Sequence, residues 1–332
     1  MSPSLADEMI ALGLADAPES VVADGGAEAP ARPRKQKPPV SQTDQSDPNF
    51  VEPDWFGALK YAMRRERGVS LFGPRGCGKS SAILELAART QAEAIVLQCC
   101  ANMQIDGLLG SWAAEGGSTR FIEGPLALAV RRGAWLVAEE SNAIHPGVWS
   151  AVNTLTDQTG HGLRLPTGET IPPSKGFRLA LLYNDGYAGT REVNAALKDR
   201  LMPIYAGYMG ASAETVMLHN RTGAPAEICE SVVRLGGMIR AAGLRMDLGP
   251  RAMIRLIRLV GLDGMSWTDA YRHAVLDLAG APDQAAAQRT VLEELARQLS
   301  LEAWPAVALD DDDDDGETVS PTDQSEETDG DE

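Results

Sequence analysis

The sequence has little positive charge, few aromatics, few cysteines and no long apolar run, and each shortage narrows what the chain can be. Thirty Lys and Arg stand against 47 Asp and Glu in 332 residues, a formal net charge of −17. Nucleic acid and anionic membrane are held by a surplus of cations, so this balance disfavours both as partners, although it leaves room for a local basic channel. No stretch reaches the roughly 18–20 uninterrupted apolar residues of a membrane span. The opening MSPSLADEMIALGLADAPES carries acids early and lacks a basic region followed by an apolar core, so it does not read as a secretory signal. The expectation is a cytoplasmic protein. Aromatics make up only 5%, whereas Ala, Leu and Gly are plentiful, which suits helix-rich α/β packing better than a β-sandwich. The four cysteines are Cys77, Cys99, Cys100 and Cys229; adjacent Cys99 and Cys100 cannot form a C-x-x-C site, so reduced thiols are expected.

The acidity that is present sits at the ends. From Asp310 to Glu332 there are 13 acids and no base, including six consecutive aspartates, a block that repels itself and buries nothing. Residues 1–46 carry seven acids and four bases among Ala, Pro, Gly and Gln. Both ends are expected to be disordered, apart from a short helix around Ala6–Leu14 that could serve as a docking helix. Setting aside the −13 of the tail and the −3 of the first segment leaves residues 47–309 at −1.

Within that neutral stretch, short apolar runs alternate with helical periodicity. Trp55–Arg67 is amphipathic, and Gly68 reads as its stop. Val69–Phe72, Ala94–Gln98, Trp135–Ala138 and Arg178–Tyr183 read as strands, and the helical pattern Ser80–Thr90 follows the first of them. Strands of this kind separated by helices predict a parallel sheet covered on both faces. After about Gly210 only helical periodicity remains, through Leu299. The expected organisation is a segment 1–46, an α/β nucleotide-binding domain 47–209, an all-helical domain 210–305 and an acidic tail 306–332.

Between the first strand and its helix lies Gly73-Pro74-Arg75-Gly76-Cys77-Gly78-Lys79-Ser80, with Ser81 next, which fits G-x-x-x-x-G-K-[ST]. Glycines let successive backbone N–H groups turn around a phosphate, and the helix N-terminus adds its partial positive charge. Lys79 suits the β- and γ-phosphates, and the Ser80 hydroxyl suits Mg²⁺. A plain glycine turn would not need the lysine. Sixty residues on, Ala134-Trp135-Leu136-Val137-Ala138-Glu139-Glu140 is an apolar strand ending in paired acids. After such a loop, Glu139 is assigned to the Mg²⁺ shell and Glu140 to the base that polarises an attacking water.

With these motifs the chain resembles the AAA+ ATPases of the MoxR branch, and within it the CbbQ/NirQ/NorQ (dynein-related AAA) group of activator ATPases. Phe121-Ile122-Glu123-Gly124-Pro125-Leu126, with Ala129 and Gly133, is similar to that family's F-x-x-G-P-L segment. Leu181-Leu182-Tyr183-Asn184-Asp185-Gly186-Tyr187 is similar to its Y-N-P-G-Y, Ala196-Leu197-Lys198-Asp199-Arg200-Leu201 to the segment ending in its arginine finger, and Gly249-Pro250-Arg251 to its sensor 2. The likeness spans about residues 50–300 in family order. It implies a P-loop AAA+ parallel-sheet domain followed by a helical lid, with Asn184 sensing the γ-phosphate, Arg200 reaching a neighbour's nucleotide and Arg251 acting in cis. On local sequence alone Asn184 reads equally as a turn-forming Asn-Asp-Gly, Arg200 as a surface cation at a helix end, and Arg251 as a surface arginine. Leu163–Thr170, alternating around Gly168, reads as a hairpin and resembles the pre-sensor hairpin of this clade. The chain departs from the family at Glu139, where Asp is commoner, at Asp185 in place of proline and at Leu201 in place of phenylalanine.

The expected activity is ATP hydrolysis, with ATP and Mg²⁺ as ligands, at the interfaces of a homo-oligomeric ring, commonly a hexamer in this family. The expected client is a protein, which in the CbbQ-like group usually carries a von Willebrand A domain. Two alternatives stand beside it: a nucleotide-gated scaffold with little turnover, and a DNA-acting or GTP-using motor.

Overall fold

The computed structural model describes residues 46–156, 161–184, 195–244, 246, 248–280 and 285–309. The expectations for the first 45 residues, for Asp185-Gly186-Tyr187 and for the tail from Asp310 lie outside the described residues.

Five parallel strands form the central sheet: β1 (Gly68–Gly73), β2 (Ala94–Gln98), β5 (Trp135–Glu139), β8 (Arg178–Asn184) and β9 (Met202–Tyr205), in the order β2-β5-β8-β1-β9. The side-chain period of two sends alternate residues to opposite faces, and both faces are apolar. Leu136, Ala138, Leu179 and Leu181 face one core with Phe177 and Trp149. Val69, Leu71, Val137, Ala180 and Leu182 face the other. Helices α1 (Phe56–Arg65) and α2 (Lys79–Arg89) cover the second face through Phe56, Leu59, Ile83 and Leu86. The first face is covered by α3 (Ile105–Leu109), α4 (Pro125–Arg132) and α5 (Ser150–Thr156), through Leu108, Leu126, Val130, Val152 and Leu155. At full burial each such aliphatic side chain contributes about 1.5–3 kcal/mol.

Two small hairpins leave this body. Leu163–Arg164 (β6) pairs antiparallel with Thr170–Ile171 (β7), the hairpin expected around Gly168. The other, β3 (Gly110–Glu115) with β4 (Ser118–Glu123), was not expected from the sequence.

Three further sequence readings need correction. Helix α1 ends at Arg65, and Gly68 is not its stop but the first residue of β1. A Cβ there would stand 2.1 Å from the Leu179 carbonyl oxygen, so the residue is small because β8 lies against it. Helix α2 starts one residue early, at Lys79, with Gly78 as its N-cap. The sheet also has a fifth strand, β9, at its edge, where Pro203 costs no shared ladder bond.

Beyond β9 come α-helices α7 (Ala211–Thr222), α8 (Ala226–Ala241), α9 (Pro250–Gly261), α10 (Trp267–Tyr271) and α11 (Ala286–Gln298), after the short α6 (Ala195–Lys198) that precedes β9. Leu218, Val232, Leu235, Ile239, Met253, Leu256, Ile257, Trp267 and Tyr271 make their common core. Residues up to Leu309 fold back on it, with the Trp267 Nε1–H donating to the Pro305 carbonyl (2.9 Å) and the Leu309 N–H to that of Gly261 (3.2 Å). Among the described residues, no helix is long and apolar enough to cross a membrane.

Candidate functional site

The carboxyl ends of β1, β5 and β8 lie in one row, because the register pairs Gly73 with Asn184 and Ala138 with Leu181. In open α/β sheets this is where ligands bind. A cleft of about 890 Å³ opens there, between the sheet and the helices beyond β9. Its lining includes Arg75 to Ser81, Glu139, Glu140, Asn184 and Arg251, so the structure brings together most of the residues singled out in sequence. Gly73 and Pro74 lie at the mouth of the loop, within hydrogen-bonding distance of Lys79. Arg200 is not among the cleft residues. It is exposed on the turn after α6, its N–H donating to the Leu197 carbonyl (3.1 Å).

The phosphate loop is built on left-handed backbone. Gly76 and Gly78 have φ of 72° and 87°, which a side chain would strain, and a Cβ on either would point into open space. The 11-residue helix α2 then starts at Lys79 with its free N–H groups facing the loop. Lys79 is only 8% exposed. Its Nζ donates to the carbonyls of Gly73 (3.1 Å) and Pro74 (2.7 Å) and to Asn184 Oδ1 (2.9 Å). Burial first of all holds its pKa below the ordinary lysine value; the Arg251 charge acts in the same direction, and the Cys77 thiol opposes. Two cations thus converge on one side of the cleft, where an anion would relieve both.

The acids sit on a strained corner. Glu140 has φ +50°, a left-handed conformation that costs a non-glycine residue of order 1 kcal/mol or more and needs surrounding bonds to hold it. Those bonds are present. Ser141 donates its N–H to the Leu182 carbonyl (2.9 Å), Asn142 donates from Nδ2 to the Asn184 carbonyl (2.9 Å), and Trp149 donates from Nε1 to the Ser141 carbonyl (3.0 Å). Ser141, Asn142 and Trp149 are buried. The ends of β5 and β8 are therefore tied, and Glu139, Glu140 and Asn184 keep a fixed relation. Below them, Cys99 is 3% exposed, and burial pushes its thiol up to about 12. All four cysteines are free thiols.

The sequence reading missed the opposite wall. Asn49, Phe50, Val51 and Pro53 line the cleft, as do Met217 and Arg221 of α7 and Ile254 and Arg258 of α9. Asp47 ties that N-terminal strap in two directions: its N–H donates to Glu85 on α2 (2.8 Å), and its carboxylate pairs with Arg221. Arg251, Ile254 and Arg258, at i, i+3 and i+7, share one helix face, as do Met217 and Arg221 at i and i+4. Among the described lining residues there are five cations, Arg75, Lys79, Arg221, Arg251 and Arg258, and two carboxylates. A near-neutral domain thus holds a locally cationic cleft with apolar patches at one end, suited to a flat, polyanionic ligand such as a nucleotide.

Residues 68–201 match the family model described as an AAA domain of the dynein-related subfamily. Over 206 residues, 61% of this chain and 76% of the relative, the protein is 28% identical to protein NorQ of Paracoccus denitrificans. It is also 28% identical over 238 residues, 70% of this chain and 91% of the relative, to the denitrification regulatory protein NirQ of Pseudomonas aeruginosa. Residues 68–201 are thus an AAA domain of the dynein-related subfamily, and NorQ and NirQ are homologues of the chain.

Proposed function

We propose that the protein binds and hydrolyses ATP at the subunit interfaces of a homo-oligomeric ring, a hexamer by the family's usual arrangement, and uses lid motion to remodel or activate a partner protein. The observation that carries this reading is the meeting, in one cationic cleft, of Lys79, Asn184 and the two acids on their strained corner. In it the phosphate loop and Lys79 hold the phosphates, trading the Gly73 and Pro74 carbonyls for phosphate oxygens. Glu140, at the exposed lip of the corner, takes a proton from the attacking water. Asn184 orients that water or the γ-phosphate, and Arg251 approaches the same phosphates from the lid.

Ser80 and Glu139 line the same cleft and offer hard oxygen donors, which suits Mg²⁺ beside phosphate oxygens and water. Bound there, the ion would neutralise charge on the transferring phosphoryl group. Arg200 lies outside the cleft of its own subunit, the placement a residue acting on a neighbour's nucleotide requires. The name of NirQ, a denitrification regulatory protein, supports a partner-activating role. A client bearing a von Willebrand A domain rests on resemblance to the CbbQ-like group.

The test is the full-length chain with Mg²⁺ and increasing ATP, followed by light scattering for mass and by phosphate release. The reading expects ATP-dependent growth to a multi-subunit species that releases phosphate. A single-subunit mass at every ATP concentration, with no phosphate released, would overturn it.

A further inference from the structure

The segment joining β9 to α7, residues 206–210, runs along the phosphate loop rather than around it. Ala206 donates its N–H to the Phe72 carbonyl (2.7 Å), Trp55 Nε1 donates to the Gly207 carbonyl (3.1 Å), and the Tyr208 hydroxyl donates to the Arg75 carbonyl (3.1 Å). The last contact falls inside the loop itself. In a trans peptide the carbonyl and the following N–H point opposite ways. Holding the Arg75 carbonyl toward Tyr208 therefore directs the Gly76 N–H to the other side of that peptide.

The same tyrosine is gripped from the lid. The Arg240 guanidinium of α8 lies over its ring, 4.4 Å from the centroid. Arg240 in turn forks onto Glu214 of α7, with N···O distances of 2.9 and 2.7 Å. Glu214 is 1% exposed, and a carboxylate that deep in the protein is tolerable only with such a partner. Gly249, the N-cap of α9, approaches from a third direction: a Cβ there would stand 3.0 Å from the Arg75 oxygen and 3.4 Å from the Tyr208 ring. Two lid helices, α8 and α9, thus meet at one side chain whose far end touches a phosphate-loop carbonyl, and α7 joins them through the Glu214–Arg240 pair.

We propose that Tyr208 is a positioning residue that couples the phosphate loop to the lid. It sets the Arg75–Gly76 peptide in its phosphate-binding orientation and passes any shift of that peptide through Arg240 and Glu214 to α7 and α8. The proposal rests on the ATP reading above and adds to it the route from phosphate to lid.

Tyr208→Phe in the full-length protein removes one oxygen and leaves the ring under Arg240. Hydrogen–deuterium exchange is followed with and without Mg-ADP, alongside ADP affinity and the ATPase constants. In the wild type, ADP slows exchange in the loop and in α7 and α8. In Tyr208→Phe the loop should still be protected, the lid helices should lose that response, and Kd and KM should rise about tenfold, the measure of one hydrogen bond, with a smaller change in kcat. Arg240→Lys, which keeps a cation over the ring but loses the fork, should give an intermediate lid response. Without nucleotide, Tyr208→Phe should speed exchange of the 74–78 peptide. Unchanged exchange there, or a wild-type lid response with bound ADP, overturns the proposal. So does a fall in kcat that merely tracks a lowered melting midpoint. A wild-type chain that binds no ADP refutes the ATP reading instead, and the nucleotide-free exchange still decides the role of Tyr208.

Discussion

Replacing Lys79 with Met should separate nucleotide binding from stability. The side chain is 8% exposed, and its ammonium is held by the Gly73 and Pro74 carbonyls and Asn184 Oδ1. Two effects on stability oppose each other. The hydrogen bonds to these three oxygens vanish, each worth about 1 kcal/mol net, together with a weaker contact to the Cys77 sulfur, and the loss is softened because the acceptors border an open cleft that water can enter. Against this, a cation that burial penalises, as its lowered pKa records, is replaced by an apolar chain of similar length. The two come close to cancelling, so the urea midpoint should correspond to a change within about 1–2 kcal/mol. Binding has no such cancellation. Losing a desolvated charge–phosphate contact costs about 2–5 kcal/mol, or about 30- to several-thousand-fold in Kd. Titration of a fluorescent ATP analogue, run beside urea unfolding, measures both. A Kd within about threefold of wild type at unchanged stability would refute the assignment of Lys79 to the phosphates.

Arg200→Ala should lower hydrolysis by upward of about tenfold and leave ATP affinity nearly intact. Mixing it with Glu140→Gln subunits should restore part of the activity, because each variant lends what the other lacks; mixtures no better than their components would place Arg200 outside the neighbour's site. Cys99 gives a pH test. Its thiol ionises near 9.0 when unfolded and only at about 12 when folded, so its contribution is complete below pH 9 and falls as pH rises toward 12, by about 1.4 kcal/mol per unit. Cys99→Ala should therefore flatten the decline of stability between pH 9 and 10.5 in urea unfolding. An unchanged slope would show that Cys99 ionises as freely in the fold as outside it.

What could be read in advance followed from local rules. Strands buried on both faces announce themselves as apolar runs, and the glycine–lysine loop specifies its own backbone. Ala94–Gln98 was legible to the residue for this reason. Strand β9 was not, because its four residues, though apolar, include Pro203, which reads against a strand, and two of them face solvent. The β3–β4 hairpin hid among small and polar residues, yet Gly116-Gly117, both at positive φ, form the two-residue turn that favours such a hairpin and could have given it away. Gly68 was misread because a helix stop and a close strand contact ask for the same residue. Within the site, the floor was legible and the far wall was not. Asn49, Arg221 and Tyr208 reach the nucleotide loop or its cleft only through tertiary folding, from positions with no motif of their own. The strain at Glu140 is likewise invisible in a string that reads as an ordinary pair of acids.

The most direct test of the central claim compares phosphate release by the wild-type chain and by Glu140→Gln, each saturated with Mg-ATP, with bound nucleotide measured in the same samples. The substitution keeps the side chain's size and removes its ability to accept a proton, so the account predicts full ATP occupancy in both proteins and at least about a hundredfold slower release in the variant. Equal release from both at equal occupancy would contradict it.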